Sequence, residues 1–128
     1  MAASPKKKPA PAPAPIPETK MIDIVLQSLD DAKAEQTVAI DIAGKSSLAD
    51  FMVVTSGRSN RHVSAVADQV MKAMRENGFS KPRVEGLPHA DWVLVDGGDV
   101  IVHIFRPEVR EFYNIEKMWQ ADFAADAN

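Results

Sequence analysis

Residues 91–119 read DWVLVDGGDVIVHIFRPEVREFYNIEKMW and form the most informative stretch of the chain. Two apolar runs, residues 92–95 and 100–105, flank Gly97 and Gly98. A Gly-Gly pair between strand-like runs favours a tight two-residue turn with positive φ at both glycines. The stretch therefore predicts a β-hairpin, followed by a helix that Pro107 opens.

The predicted turn also brings two acidic side chains together. With the two glycines at its tip, Asp96 and Asp99 would lie opposite each other. Like charges in a cross-strand pair are destabilising by about a few tenths of a kcal/mol, and a basic partner would remove that penalty. We interpret the turn as a candidate partner contact, with a solvated turn or a divalent-ion clamp as the alternatives.

Alternation along the first hairpin strand separates its side chains into two sets. Trp92, Leu94 and Asp96 point one way, and Val93 and Val95 point the other. The valines are the better core candidates, so Trp92 is predicted to be an outward-facing interface anchor within a polar rim. Packing of Trp92 under the terminal helix is the alternative.

The second hairpin strand places Ile101, His103 and Phe105 on one face. If this face is the less buried one, His103 and Phe105 join the partner surface. The alternative is a histidine with satisfied hydrogen bonds at the edge of the sheet. Beyond the hairpin, Arg106, Arg110 and Tyr113 are candidates for the border of that surface, although a basic residue beside an apolar face often only covers it.

The rest of the chain predicts a small mixed β-sheet flanked by helices, in the α/β (mixed α+β) class. Apolar periodicity, caps and turn residues indicate the elements. They are a helix over residues 20–34, strands over 38–42, 51–55 and 83–85, a helix from Ser59 or Asn60 to about Asn77, the hairpin, and a helix over 108–119.

Several motifs together resemble the ribosomal silencing factor family, also called the Iojap-like family. They are IDIAGKSSLADFMVVTSG at residues 40–57, SNRHVSAVADQV at 59–70, Glu85-Gly86, and the hairpin with its terminal helix. The resemblance covers roughly residues 21–119, and the motifs agree in order and spacing.

This resemblance implies a non-enzymatic translational repressor with a sheet of nucleotidyltransferase-like architecture and helices mainly on one side. Such a protein binds the large ribosomal subunit beside its protein number fourteen, through the sheet and its neighbouring turn, and blocks joining of the small subunit. The family also implies a possible homodimer that uses the same surface. Assembly of the large subunit is an alternative role that the sequence does not separate from silencing.

Composition divides the 128 residues into three parts. Residues 1–19 form a Pro/Ala-rich arm with Lys6-Lys7-Lys8, predicted to be disordered; residues 20–119 form the domain; residues 120–128 form a flexible tail. Residues 21–119 carry 15 acidic and 11 basic residues, a net charge of −4, so a basic protein is a better partner than rRNA. The lysines of the arm leave a peripheral rRNA contact open.

The absence of cysteine removes disulfides and thiolate chemistry and fits a cytoplasmic location. No stretch of the sequence approaches the roughly 18 apolar residues of a membrane span.

An enzyme is the rival interpretation. A nucleotidyltransferase needs paired carboxylates, but Asp41 and Asp50 lack the Asp-x-Asp spacing that would provide them. Ser56-Gly57-Arg58-Ser59-Asn60 is a candidate anion cradle, with a simple helix N-cap as the more frequent alternative. His62, His89 and His103 share no metal-ligand spacing, so we predict no metal and no cofactor.

Overall fold

The computed structural model describes residues 20–79, 81–115 and 117, without the side chains of Phe112 and Tyr113. Three helices and five strands follow one another in this part of the chain. They are α1 (Met21–Asp31), β1 (Glu35–Asp41), β2 (Phe51–Ser56), α2 (Asn60–Glu76), β3 (Arg83–Glu85), β4 (Trp92–Asp96), β5 (Val100–Phe105) and α3 (Pro107–Tyr113).

The five strands form one mixed sheet in the order β1-β2-β5-β4-β3. β2 and β5 run parallel at its centre, and the other three pairs are antiparallel. The parallel connection needs a crossover, which α2 supplies on its way from β2 toward the other edge. The predicted class, a mixed α+β fold with a small sheet flanked by helices, is confirmed.

Helices α1 and α2 cover one face of the sheet and form the larger core with it. The apolar stripe of α2 supplies fully buried Val63, Val66 and Val70, which pack with Val93 and Val102 of the sheet. Burying each such side chain stabilises the fold by roughly 1.5–3 kcal/mol. The helices predicted over 20–34 and up to Asn77 are therefore present, although α1 ends at Asp31.

Residues recognisable in the sequence determine both ends of α2. Ser59 is the N-cap, and its Oγ accepts a hydrogen bond from the backbone N–H of His62 at 3.1 Å. At the other end Gly78 has a φ of +85°, and Phe79 N–H donates to the Met74 carbonyl at 3.1 Å. This backbone pattern is a Schellman motif, which needs a residue such as glycine at the left-handed position.

The opposite face of the sheet carries a second, smaller core. Met52, Val54 and Phe105 are buried there, with Val109 of α3 and Ile115 packed against them. Pro107 opens α3, as predicted. The single helix predicted over residues 108–119 was wrong: α3 ends at Tyr113, because Asn114 adopts a left-handed conformation with a φ of +55°. Residues 116, 118 and 119, like the arm over 1–19 and the tail over 120–128, fall outside the described residues.

The tip of the hairpin differs from the prediction by one residue. Gly97 N–H donates to the Val100 carbonyl at 3.0 Å, so the two loop residues are Gly98 and Asp99. Gly98 has a φ of +98°, while Gly97 and Asp99 are not among the residues of positive φ. Positive φ at the first loop position alone is the pattern of a type II′ turn. The expectation of a Gly97-Gly98 turn was wrong.

β1 also begins earlier than predicted, at Glu35 rather than Val38. The register shifts between Glu35 and Val38, and Gln36 adopts a positive φ of 51°. A bulge of this kind interrupts the alternation of side chains, which explains why the pattern of the sequence revealed only the regular half of the strand.

Candidate partner-binding surface

A partly accessible region of the sheet lies on the two hairpin strands, on the face opposite α1 and α2. Three cross-strand pairs form it: Asp96 with Ile101, Leu94 with His103, and Trp92 with Phe105. We call this set the β4–β5 face. Its side chains on β4 and Ile101 are half-buried, whereas Met52 and Val54 on neighbouring β2 are buried.

An aromatic cluster forms one end of the β4–β5 face. The Trp92 ring lies over Phe105 with centroids 4.8 Å apart, and over His103 with centroids 5.8 Å apart. The Trp92 Nε1–H donates a hydrogen bond to Nδ1 of His103 at 3.0 Å. Trp92 is thus fixed in orientation while part of its ring stays accessible, as in an interface anchor.

His103 and Phe105 are more deeply buried than the partner-surface interpretation of β5 required. Phe105 is fully buried and His103 is 8% exposed. The reason is that Trp92 lies across both rings, and the second core closes over Phe105. Phe105 is therefore the buried base of the β4–β5 face: it supports Trp92 and is not itself available to a partner. Burial also lowers the pKa of His103 to about 4, so the ring is neutral at physiological pH.

The two acidic turn residues do not face each other, which corrects the predicted pairing. Asp96 lies opposite Ile101, its Oδ1 accepts from Gly98 N–H at 2.9 Å, and its Oδ2 lies 3.3 Å from Nη2 of Arg83. The chain itself therefore provides a basic neighbour for Asp96. The Asp99 residue is exposed, and its carbonyl accepts from the backbone N–H groups of Asp50 and Phe51 at 2.8 and 3.1 Å.

Arg110 and Tyr113, two residues expected at the border of the surface, lie on α3. Arg110 is 9% exposed, and its Nη1 donates to Oγ of Ser56 at 2.9 Å. This places Arg110 between α3 and β2, and corrects the expectation that its side chain borders open surface. α3 ends at Tyr113, whose side chain lies outside the described part of the structure. A partner contact by any of the predicted residues stays a prediction.

Sequence reasoning did not single out two apolar residues that the structure exposes in loops. Leu48 is 68% exposed in the loop between β1 and β2, where its N–H donates to Oγ of Ser46 at 3.0 Å. Leu87 is 37% exposed in the loop after β3. The one available signal for Leu48 was an apolar residue within the polar Ser-Ser-Leu-Ala loop. A loop has no hydrophobic period, so the sequence pattern did not show whether Leu48 is buried or exposed.

The start of α2 is a capped helix N-terminus, at which several backbone N–H donors have partners within the chain. Besides the cap on His62 N–H, Val63 N–H donates to the Ser59 carbonyl, and Arg58 N–H donates to Nδ1 of His62 at 2.9 Å. Nε2 of His62 lies 2.9 Å from the Ala32 carbonyl at the end of α1. His62 therefore links the two helices, and the geometry favours the N-cap interpretation of this segment over the anion cradle.

A polar network fixes the loop that precedes β4. Asn60 donates through Nδ2 to the His89 carbonyl at 2.8 Å and to Oδ1 of Asp91 at 2.6 Å. Nε of Arg106 lies 3.0 Å from the same Asp91 oxygen. The Asn60 hydrogen bond, followed by the Arg106 contacts, lowers the pKa of Asp91. The network holds both ends of the hairpin, and therefore Trp92, in a defined position.

Among residues 20–79, 81–115 and 117 no group of three or more histidine or acidic side chains is arranged to hold a metal ion. Nor does any helix in this part of the chain have the length and apolar character needed to cross a membrane.

Comparisons with known proteins agree with one another. A family model described as "Ribosomal silencing factor during starvation" matches residues 14–128. A ribosomal silencing factor of Zymomonas mobilis is 50% identical over 99 residues, which are 77% of this chain and 74% of that protein. The mouse protein named "Mitochondrial assembly of ribosomal large subunit protein 1" is 32% identical over 101 residues, 77% of this chain and 44% of its own length.

A solved structure matches as well. The crystal structure of a Chromobacterium violaceum protein superposes with a TM-score of 0.76 at 37% identity, and covers 78% of this chain and 83% of that one. Fold and surface thus define a small mixed α+β protein with a partly open, aromatic and acidic sheet face. The chain belongs to the ribosomal silencing factor family. The name of that family denotes no catalytic activity.

Proposed function

We propose that this protein is a translational repressor that binds the large ribosomal subunit through the subunit's protein number fourteen and sterically blocks association with the small subunit. It acts in the cytoplasm, when nutrients are limiting. No bond is made or broken in this mechanism, because occupancy of the site is enough. Membership of the silencing factor family supports the ribosomal role.

The observation that carries the proposal is the β4–β5 face. It combines the fixed aromatic ring of Trp92 with half-buried Leu94 and Ile101, beside the acidic side chains of Asp96 and Asp99. Apolar anchors inside a polar rim are typical of protein interfaces, and acidic groups suit a basic ribosomal protein. A standard interface of about 1,600 Å² in total provides enough contact for nanomolar to micromolar binding.

The test is cosedimentation of the purified protein with separated ribosomal subunits, followed by addition of the missing subunit. We expect comigration with the large subunit and fewer joined ribosomes. Absence of binding to either subunit at micromolar concentration and low salt would overturn the proposal.

A matched pair of variants locates the surface. Leu94→Lys adds a positive charge to the β4–β5 face, and Val84→Lys adds the same charge on β3, at a residue paired with Val95 and 36% exposed. A basic partner should reject the first variant and accept the second. Equal binding of both would assign the contact to another part of the molecule.

A second candidate function is assembly of the large subunit. The observation that favours it is the name of the mouse relative, which refers to assembly of the mitochondrial large subunit. Both roles use the same docking step and differ in when it occurs. Accumulation of immature large subunits in a deletion strain during rapid growth would favour assembly. Normal subunits in growth, with uncontrolled subunit joining in starvation, would favour silencing.

A further inference from the structure

His103 lies at the centre of the β4–β5 face. It is the polar member of the middle cross-strand pair, Leu94 with His103. In register it pairs with Leu94 on β4 and with Val54 on β2. Along β5 its neighbours on the same face are Ile101 and Phe105. A polar ring surrounded in this way is costly unless its hydrogen bonds are made, because the apolar neighbours offer none.

The indole of Trp92 decides which nitrogen of His103 carries the proton. An indole N–H only donates hydrogen bonds, so Nδ1 of His103, 3.0 Å from Nε1 of Trp92, must be the acceptor with a lone pair. The ring is neutral, because burial lowers its pKa to about 4. Its single proton is therefore on Nε2, and the ring is fixed as one tautomer.

The Nε2–H group is accessible from outside. In the part of the chain that the structure describes, every fully enclosed side-chain nitrogen or oxygen has a hydrogen-bond partner. Among these described residues the hydrogen bond of His103 is the one that Nδ1 accepts from Trp92. It follows that Nε2–H lies where the 8% exposed surface of the residue opens onto the β4–β5 face.

We propose that the Nε2–H group of His103 is a preoriented hydrogen-bond donor that binds a neutral carbonyl oxygen of the docking partner. This inference rests on the proposed function, because it names the chemistry by which the same face recognises a large-subunit protein. The charges around His103 select the kind of acceptor. Glu85 and Asp96 border the face on β3 and β4, with Arg83 paired to Asp96. A partner carboxylate would be repelled by this acidic border, whereas a backbone or amide carbonyl would not.

The first experiment measures the affinity of full-length protein for purified large subunits. His103→Phe keeps an aromatic ring under Trp92 and removes the donor. We expect its dissociation constant to rise at least about tenfold, because the partner's carbonyl is then buried without a hydrogen bond. His89→Phe makes the same change on an exposed loop residue and should bind like the wild type. Binding of His103→Phe within twofold of the wild type overturns the inference.

A second measurement needs no variant and therefore does not depend on how His103→Phe folds. In protein labelled with 15N at histidine, His103 should show the neutral Nε2–H pattern before binding. Addition of isolated large-subunit protein number fourteen should shift the Nε2–H proton and slow its exchange with water. A resonance that does not move in the complex overturns the inference.

The two proposals fail in different ways. If wild-type protein does not bind large subunits, the proposed function fails and this inference fails with it. If the wild type binds but neither the affinity nor the resonance depends on Nε2–H, only the inference fails.

Discussion

At the scale of the residue, the neutral state of His103 has a consequence for stability. Its pKa falls from an ordinary 6.5 to about 4 on folding, because burial disfavours the charged ring. Between these pH values the unfolded chain binds a proton that the folded chain does not. The contribution of neutral His103 to the free energy of unfolding is therefore fully present above pH 6.5 and is lost as the pH falls toward 4. The separation corresponds to on the order of 3 kcal/mol.

Urea unfolding at pH 7.5, 5.5 and 4.5 checks this prediction. The free energy of unfolding of the wild type should fall across the series, and that of His103→Phe should fall less. The His89→Phe protein should follow the wild type, since its substitution lies on an exposed loop. Parallel curves for all three proteins would contradict a buried, neutral His103.

The sequence predicted which residues of each hairpin strand share a face, but not how deeply each is buried. Alternation separated Trp92 from its valine neighbours and grouped His103 with Phe105, while leaving open whether the two sets share a face; the structure brings the three rings together. Burial depends on what lies across that face, which comes from distant parts of the chain and leaves no periodic signal. For the same reason, the hydrogen bond between Trp92 and His103, made across two strands, was invisible in the sequence.

At the scale of the element, the hairpin was predictable and its turn was not. Two adjacent glycines suggested a symmetrical role, yet only Gly98 provides positive φ. Gly97 instead packs against the helices: a Cβ there would lie 2.8 Å from Cε of Met74 and 2.9 Å from Sδ of Met21, so these side chains would have to shift. Turn rules assign this residue to the tip, although its close neighbours belong to α1 and α2. Helix ends with strong side-chain caps, as in α2, were predicted more closely.

The glycine after β3 provides a testable prediction about how tightly two elements pack. Gly86 has a φ of +103°, and a Cβ there would clash with the backbone carbonyl oxygen of Trp92. Gly86→Ala should therefore destabilise the fold by about 2–4 kcal/mol, from strain at positive φ plus displacement of β4. Gly44→Ala is the matched control, because Gly44 has a φ of +82° and no atom within 4 Å of the added Cβ.

Thermal and urea unfolding of both variants measure the difference. We expect Gly44→Ala to lose only about 1 kcal/mol, the cost of the left-handed conformation alone. A loss as small for Gly86→Ala would show that the approach of β4 to Gly86 is not tight in solution.

The acidic turn residues make separable predictions, because their environments differ. Asp96 accepts the Gly98 N–H and pairs with Arg83, so Asp96→Lys should weaken the turn as well as any contact with a basic partner. Asp99 is exposed, and its structural hydrogen bonds use its carbonyl. Asp99→Lys should therefore weaken binding to large subunits severalfold and leave the unfolding curve unchanged. Unchanged binding in cosedimentation would remove Asp99 from the interface.

At the scale of the whole molecule, one face of the sheet packs in the main core and the other carries the proposed binding surface. α1 and α2 cover one face and contribute most of the core, which leaves the β4 side chains and Ile101 on the other face half-buried. The residues that build the core, such as Val93 and Val95, alternate with those proposed to bind, such as Trp92 and Leu94. Binding variants can therefore be made without emptying the main core, which makes the surface experimentally separable from the fold.

The charge of the molecule gives the last prediction. The arm over residues 1–19 carries Lys6-Lys7-Lys8, whereas residues 21–119 have a net charge of −4. A basic protein partner should be held by the acidic domain, and a lysine-rich arm adds nothing to that attraction. Deletion of residues 1–19 should therefore leave the affinity for isolated large-subunit protein number fourteen unchanged within about twofold. Full-length protein with the three lysines replaced by alanine is the control for charge alone. A loss of tenfold or more on deletion, without a loss in the alanine variant, would assign the arm a direct contact that does not depend on its charge.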